Sequence, residues 1–372
     1  MAGSSLEALG RLVVKIGSSL LVDAAGAFDG QSLRRLAEEV AALRNQSHDV
    51  VLVSSGAVAL GCQVLGIERR RARLDELQAA AAAGQVQLVL AWQEALGEHG
   101  IAAAQVLLTP DDSESRRRFL NAQGTLKKLL ELGAIPVVNE NDTVATDELR
   151  YGDNDRLAAR VAQMVMADGL VLLSDVDGLY SADPRQPGAT HIAEVARIDD
   201  SIVAMAGDAG SELGSGGMRT KVEAARIATH AGCTTFVANG RADRPLSGLS
   251  DGLKHTVFLP EGTPAAARKQ WLAGRLEVRG TIEVDDGAAR ALAKGSSLLP
   301  VGVAAVSGSF RRGDAVALVS LAGVELGRGL ACYDSEEMQV ISGCRSEEIE
   351  TRLGYRGRSV AVHRDDLVYF KR

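Results

Sequence analysis

From residue 11 to residue 239 one alternation repeats: a short continuous apolar run, a polar turn, then a stretch with apolar residues three and four apart. Arg11-Leu12-Val13-Val14, Asp49-Val50-Val51-Leu52-Val53, Ile101 to Leu108, Ala134 to Asn139, Leu170 to Leu173 and Thr234 to Val237 read as strands. Between them, helical spacing runs from Gln31 to Asn45 through Leu33, Leu36, Ala37, Val40 and Leu43. Further helices are expected after Ala57, over an alanine-rich stretch from Leu74 to Leu96, from Ser115 to Leu132, and over 153–167 and 218–230. Strands without polar alternation, separated by helices, predict an α/β fold with a mainly parallel sheet sandwiched by helices.

The pattern changes near residue 260. Leu259-Pro260-Glu261-Gly262-Thr263-Pro264 breaks it, and a short helical piece is expected around Trp271. Short strands at Thr281–Val284, Gly302–Val306 and Ala315–Val319 follow, punctuated by glycines. The expected organisation is a catalytic-size domain over 1–262, a linker over 263–274 and a small, mostly β domain over 275–372.

Composition narrows the class. A length of 372 residues suits about two domains, and 46% apolar residues suffice for ordinary cores. The net charge of −7 gives no whole-chain basic footprint. Cys62, Cys233, Cys332 and Cys344 form no CxxC pair and no metal-ligand spacing, which fits buried thiols in a reducing compartment. No secretory leader and no spanning apolar run is evident, so a cytoplasmic protein is expected.

The chemistry-bearing residues follow strand ends, where ligands bind in open α/β sheets. They are Lys15-Ile16-Gly17-Ser18-Ser19, Ser54-Ser55-Gly56, Asn139-Glu140-Asn141-Asp142 and Ser174-Asp175-Val176-Asp177-Gly178. A further segment, Gly214-Ser215-Gly216-Gly217-Met218-Arg219-Thr220-Lys221, leads glycines straight into a helix with a lysine in its opening turn. Amides at a helix start bind phosphate, and the helix dipole favours the anion. Lys15 precedes its glycine, so this is not a Walker A loop, but Lys15 and Lys221 together suit a polyphosphate. Phosphoryl transfer needs mainly positioning and charge stabilisation.

Asn139 to Asp142 and Gly152-Asp153-Asn154-Asp155 add carboxylates that would repel ATP unless given another task. They could bind Mg²⁺, hold a lysine, or pair with a substrate ammonium group, and Asp153 could also cap a helix. None of the six histidines lies in these motifs. A substrate carboxylate needs no base, because with a pKa of about 4 it is already ionised near neutral pH. Phosphorylation of a carboxylate or similar anion follows.

These segments, with Arg118-Phe119-Leu120-Asn121-Ala122, resemble the amino acid kinase family over the first 260 residues. The pair of acidic segments resembles the glutamate-phosphorylating group within it. The tail, including Lys294-Gly295-Ser296-Ser297-Leu298-Leu299-Pro300, resembles a PUA domain. The resemblance implies transfer of phosphate from ATP, with Mg²⁺, to the γ-carboxylate of L-glutamate, the first step of proline synthesis. It implies catalytic roles for Lys15, Lys221 and Asp155, the last orienting the lysines. It implies glutamate binding by Ser55, Asp142 and Asn154. The nucleotide would lie along Lys15, Ser174, Asp175, Ser215, Gly216, Gly217, Met218, Arg219, Thr220 and Lys221, with Mg²⁺ held largely by ATP oxygens. It further implies a homo-oligomer, hand-off of a labile acyl phosphate to glutamyl phosphate reductase, and feedback inhibition by proline.

Two rivals differ in class. One is another kinase of the same fold, acting on acetylglutamate, aspartate, carbamate or a nucleotide. The other is an RNA-binding protein using the PUA-like tail. Residues 275–372 carry 14 Lys+Arg and 14 Asp+Glu, a net of zero, so the basic footprint of RNA binding is missing.

Overall fold

The structure is a computed structural model, and it describes residues 5–22, 27–144, 154–207, 217–267, 269 and 278–370. The chain divides into two compact units, Met1–Glu114 with Asn121–Pro264, and Ser115–Leu120 with Ala265–Arg372.

In the first unit, β1 (Arg11–Ile16), β2 (Asp49–Ser54), β4 (Ile135–Glu140), β5 (Gly169–Ser174) and β9 (Thr234–Asn239) are buried almost throughout. Each is a run of β-branched and aliphatic residues with no polar face, so each must be covered on both sides. With β3 (Ala103–Leu108), β8 (Glu194–Val195) and β10 (His255–Phe258) they form one sheet of order β3-β4-β2-β1-β5-β9-β10-β8. Every pairing in it is parallel except that of β9 with β10. The expected strand at 101–108 begins two residues later, and as an edge strand it is half-exposed rather than covered. The two-residue strands β6 (Leu179–Tyr180), β7 (His191–Ile192) and β8 and the four-residue β10 carry too few residues to show a period in the sequence.

In chain order the helices are α1 (Gly30–Asn45), α2 (Ala57–Leu65), α3 (Leu74–Gly97), α4 (Pro110–Glu114), α5 (Arg116–Glu131), α6 (Asn154–Val165), α7 (Asp200–Met205) and α8 (Met218–His230), of which α1, α2, α3, α6 and α8 matter for the site. Asp29 caps α1 by accepting from the Ser32 amide at 3.0 Å. α2 and α3 pack with their backbones almost touching. A Cβ on Gly61 would sit 1.6 Å from the Ala80 carbonyl oxygen, and one on Gly84 would sit 1.9 Å from that of Ala57. Only glycine permits that approach. The core joins Leu12, Val14 and Ile16 of β1 to Leu33 and Leu36 of α1, Leu88 and Trp92 of α3, and Phe236 of β9.

From β1 the chain steps to β2 on one side, builds β3 and β4 beyond it, and returns through α6 to β5 on the other side of β1. The strand order therefore reverses at β1, and the crevice beyond its carboxyl end is where an open α/β sheet takes a ligand.

The second unit is a five-stranded sheet of order β12-β11-β13-β14-β15, built from β11 (Val278–Val284), β12 (Val303–Gly308), β13 (Ala315–Ser320), β14 (Glu325–Ala331) and β15 (Val362–Tyr369). Only β11 and β13 pair in parallel. Its core includes Ile282, Val284, Leu318, Tyr333, Met338 and Val362. Three short helices, Asp286–Ala293, Ser335–Ile341 and Ile349–Leu353, were not anticipated from the sequence pattern. The helical piece expected around Trp271 lies outside the described residues.

Candidate active site

Parallel pairing brings the ends of β1, β2, β4, β5 and β9 to one rim, and the polar motifs stand there because each directly follows its strand. Register is tight: Lys15 lies beside Val53 and Leu172, and the Gly17 amide donates to the Leu173 carbonyl at 3.2 Å.

At the centre is Asp155, in the first turn of α6, only 1% exposed at its side chain. Its Oδ1 lies 2.6 Å from Lys15 Nζ and its Oδ2 lies 3.1 Å from Lys221 Nζ. Thr220 Oγ1 donates to Oδ2 at 2.9 Å. Burial pushes the Asp155 carboxyl upward, but the charges and hydrogen bonds of Lys15 and Lys221 outweigh it and hold the group far below the usual carboxylate range. The triad of two ammonium groups and one carboxylate has a net charge of +1. Fixed positive charge away from water is what stabilises a transferring phosphoryl group without reorganisation. Gly217, the N-cap of α8, has no side chain to bond the first amides of the helix that carries Lys221 in its opening turn.

A second set of polar groups adjoins the triad through Asn154, the neighbour of Asp155. Asn154 Nδ2 donates to Ser55 Oγ at 2.7 Å and to Asn139 Oδ1 at 2.9 Å. Asn139 Nδ2 in turn donates to Gln85 Oε1 at 2.8 Å. Ser55 leads through Gly56, whose φ of +117° requires glycine, into α2, another helix start without a side-chain cap. Ser54 behind it accepts from the buried Trp92 Nε1 at 2.9 Å. Among the described residues, Asn154 Oδ1 and Gln85 Nε2 are buried and have no hydrogen-bond partner. A buried polar atom left unpaired is costly, so each calls for a partner such as an ordered water or a bound polar group.

Asp142 is half-buried just beyond β4. Burial pushes its carboxyl up to about 6, partly opposed by the Arg69 guanidinium. An ionised carboxylate short of solvent favours a cationic partner. Ser174 and Asp175 close β5, with Ser174 Oγ donating to Asp175 Oδ1 at 3.0 Å; Ser174 is buried and Asp175 exposed. Arg219 is exposed and pairs with Glu223 at 3.4 Å, and Met218 is half-buried. Ser215 and Gly216 lie outside the described residues.

The expected residues thus fall into contact groups. Lys15, Asp155, Gly217, Thr220 and Lys221 form one, since Thr220 Oγ1 also donates to the Gly217 carbonyl. Ser55 and Asn154 form another. Three participants were missed: Gln85, Asn139 as a network member, and Arg69. Gln85 could have been found. It falls at the spacing of Ala81, Leu88 and Trp92, so the helical period places an amide on the buried face of α3, where it must find partners. Among the described residues, no group of three or more His, Cys, Asp or Glu side chains is arranged to hold a metal ion. No described helix is long and apolar enough to cross a membrane.

The family model described as Amino acid kinase family matches residues 10–239, and that of the PUA domain matches residues 280–353. A protein of Paramagnetospirillum magneticum named Glutamate 5-kinase is 56% identical over 367 residues, covering 98% of this chain and 99% of that protein. One of the same name from Agrobacterium fabrum is 54% identical over 359 residues, covering 96% and 92%. Glutamate 5-kinase 1 of Rhizobium meliloti is 53% identical over 368 residues, covering 99% and 94%.

Proposed function

This chain belongs to the amino acid kinase family, and from that premise we propose that it is an ATP-dependent kinase of the γ-carboxylate of L-glutamate, serving the first step of proline biosynthesis. The observation that carries the reading is the buried Lys15–Asp155–Lys221 triad at the point where the strand order reverses. High identity to proteins named glutamate 5-kinase supports the choice of acceptor.

In this reading a γ-carboxylate oxygen of glutamate attacks the γ-phosphorus of ATP. The bond from that phosphorus to the bridging oxygen breaks, and ADP leaves with the electron pair. No general base is required, because the nucleophile is already ionised. Lys15 and Lys221 hold the equatorial oxygens as charge shifts between them, and Asp155 fixes both ammonium groups in place. The uncapped start of α8 takes part of the polyphosphate, with Gly217, Met218, Arg219 and Thr220 beside it; Ser174 and Asp175 line the nucleotide side. Asp142 and Asn154 take the substrate ammonium. Ser55 has accepted from Asn154, so its own proton is directed to a substrate oxygen. Mg²⁺, expected with ATP and held largely by its phosphate oxygens, would add to the charge neutralisation that Lys15 and Lys221 provide.

The acyl phosphate product is labile, so a reductase that consumes it is the expected next partner. A homo-oligomer, cytoplasmic residence and inhibition by proline belong to the same proposal. The test is a hydroxylamine trap with Mg-ATP. Glutamyl hydroxamate matched by ADP, absent with acetylglutamate or aspartate, is expected. ADP without hydroxamate would overturn carboxyl phosphorylation.

A further inference from the structure

Gln85, Asn139 and Asn154 are respectively 8%, 2% and 7% exposed, and their carboxamides form a single hydrogen-bonded file. We propose that Gln85 is a positioning residue that sets the polarity of this file, so that Asn154 offers an oxygen, and not an NH₂ group, to the substrate ammonium. The inference rests on the reading of the substrate as an amino acid with a free amino group.

The argument is one of donors and acceptors. A carboxamide has an oxygen and a nitrogen of nearly equal size, so its orientation is decided by its partners. In the file each nitrogen donates toward Gln85: Asn154 Nδ2 to Asn139 Oδ1, then Asn139 Nδ2 to Gln85 Oε1. Turning any one amide over would set oxygen against oxygen or nitrogen against nitrogen. The three therefore reverse together or not at all. Two internally satisfied polarities exist, and they differ in what the ends present. As built, the ends are Asn154 Oδ1 and Gln85 Nε2, both buried without a hydrogen-bond partner among the described residues. Reversed, Asn154 would turn an NH₂ group toward the substrate and repel an ammonium.

Ser55 follows the same switch. As built it accepts from Asn154 Nδ2 and keeps its proton for an anionic oxygen; reversed, it would spend that proton on Asn154. Gln85 is the member best able to impose a choice, because it is fixed on α3, whose backbone abuts α2 at Gly61 and Gly84.

The test uses the full chain and substitutions at Gln85, with hydroxamate formation by the wild-type protein measured first. Gln85→Met keeps length but removes the acceptor, and Gln85→Leu is the second apolar variant. Gln85→Glu keeps an acceptor oxygen whether ionised or protonated. Q85M is expected to raise the glutamate KM about ten-fold or more while ATP KM and kcat stay within about three-fold, since an oriented acceptor to a charged donor is lost. Q85E is expected to keep the wild-type glutamate KM within about three-fold. The preference for glutamate over glutarate, which lacks the amino group, should narrow in Q85M and persist in Q85E. An unchanged KM in Q85M, an equal rise in Q85E, or failure of both apolar variants to fold would overturn the role. Absence of hydroxamate from the wild-type protein would instead refute the reaction, and this inference with it.

Discussion

Lys15 Nζ and Asp155 Oδ1 stand 2.6 Å apart with side chains 9% and 1% exposed, and the other carboxylate oxygen holds Lys221 at 3.1 Å. One anion thus spaces two cations that come from β1 and α8, elements far apart in the chain. Without it the ammonium groups would repel each other in a poorly solvated place. Asp155→Asn should therefore lower turnover by about a hundred-fold or more and cost about 3–5 kcal/mol of stability, as loss of one partner of a buried ion pair does. The two effects separate on adding nucleotide. ATP supplies the missing negative charge, so Mg-ATP should raise the melting temperature of D155N more than that of the wild type. An equal or smaller shift would deny Asp155 its role as the counter-charge.

Lys221 lies in the first turn of α8, 3% exposed at its side chain, and in the proposed reaction its charge acts on phosphate. If that charge acts mainly on the transferring group, its loss must appear in kcat. Lys221→Ala should cut kcat by about 10²–10³-fold and leave the glutamate KM within about three-fold. Steady-state kinetics decide it: an unchanged kcat would remove Lys221 from the chemistry.

The strands flanking the site were legible because each is a run of apolar residues with a polar turn at its end. Leu12-Val13-Val14 before Lys15 and Val51-Leu52-Val53 before Ser54 are examples. The lysines and Asp155 were legible as motif residues, but their contact was not. A spacing shows that Lys15 ends a strand; it does not show that the strand order reverses there, which the pairing of β1 with both β2 and β5 settles. Gln85 was hidden for another reason. It sits in an alanine-rich helix whose neighbours look like filler, and its task depends on Asn139, 54 positions away. Arg69 lies in an arginine-rich turn that reads as a solvated surface, and its effect on Asp142 is a through-space one.

If Asp142 pairs with the substrate ammonium as proposed, the reaction should be sensitive to pH. Its carboxyl is raised from 3.8 to about 6 by burial, so the folded protein holds this proton more tightly than the unfolded chain does. The group's contribution to stability in the free protein therefore declines as pH rises from about 4 through about 6, while an ammonium ligand favours the ionised form. Glutamate KM should fall as pH rises through about 6 and level off above it, standing near pH 5 about ten-fold above its value at pH 8. Asp142→Asn should raise KM at neutral pH and flatten the step. A step that survives in D142N would belong to another group.

Gly84 tests whether the close seating of α3 on α2 serves the site. An added methyl would lie 1.9 Å from the Ala57 carbonyl oxygen and 2.4 Å from the Gly61 amide nitrogen, both backbone atoms that no rotamer change can move aside. Gly84→Ala must push the helices apart, and overpacking of about 1–3 kcal/mol or more corresponds to a melting temperature lower by about 3–10 °C. Ala57 opens the helix that follows Ser55 and Gly56, and Gln85 is the next residue of α3. The displacement should therefore raise the glutamate KM more than the ATP KM. Gly97, the last residue of the same helix, has nothing within 4 Å of an added Cβ. Gly97→Ala should be neutral or stabilising by about 0.5–1 kcal/mol, because alanine gives up less backbone freedom than glycine. If the two substitutions changed stability alike, the contact of α2 with α3 would not be what holds Ser55 against Asn154.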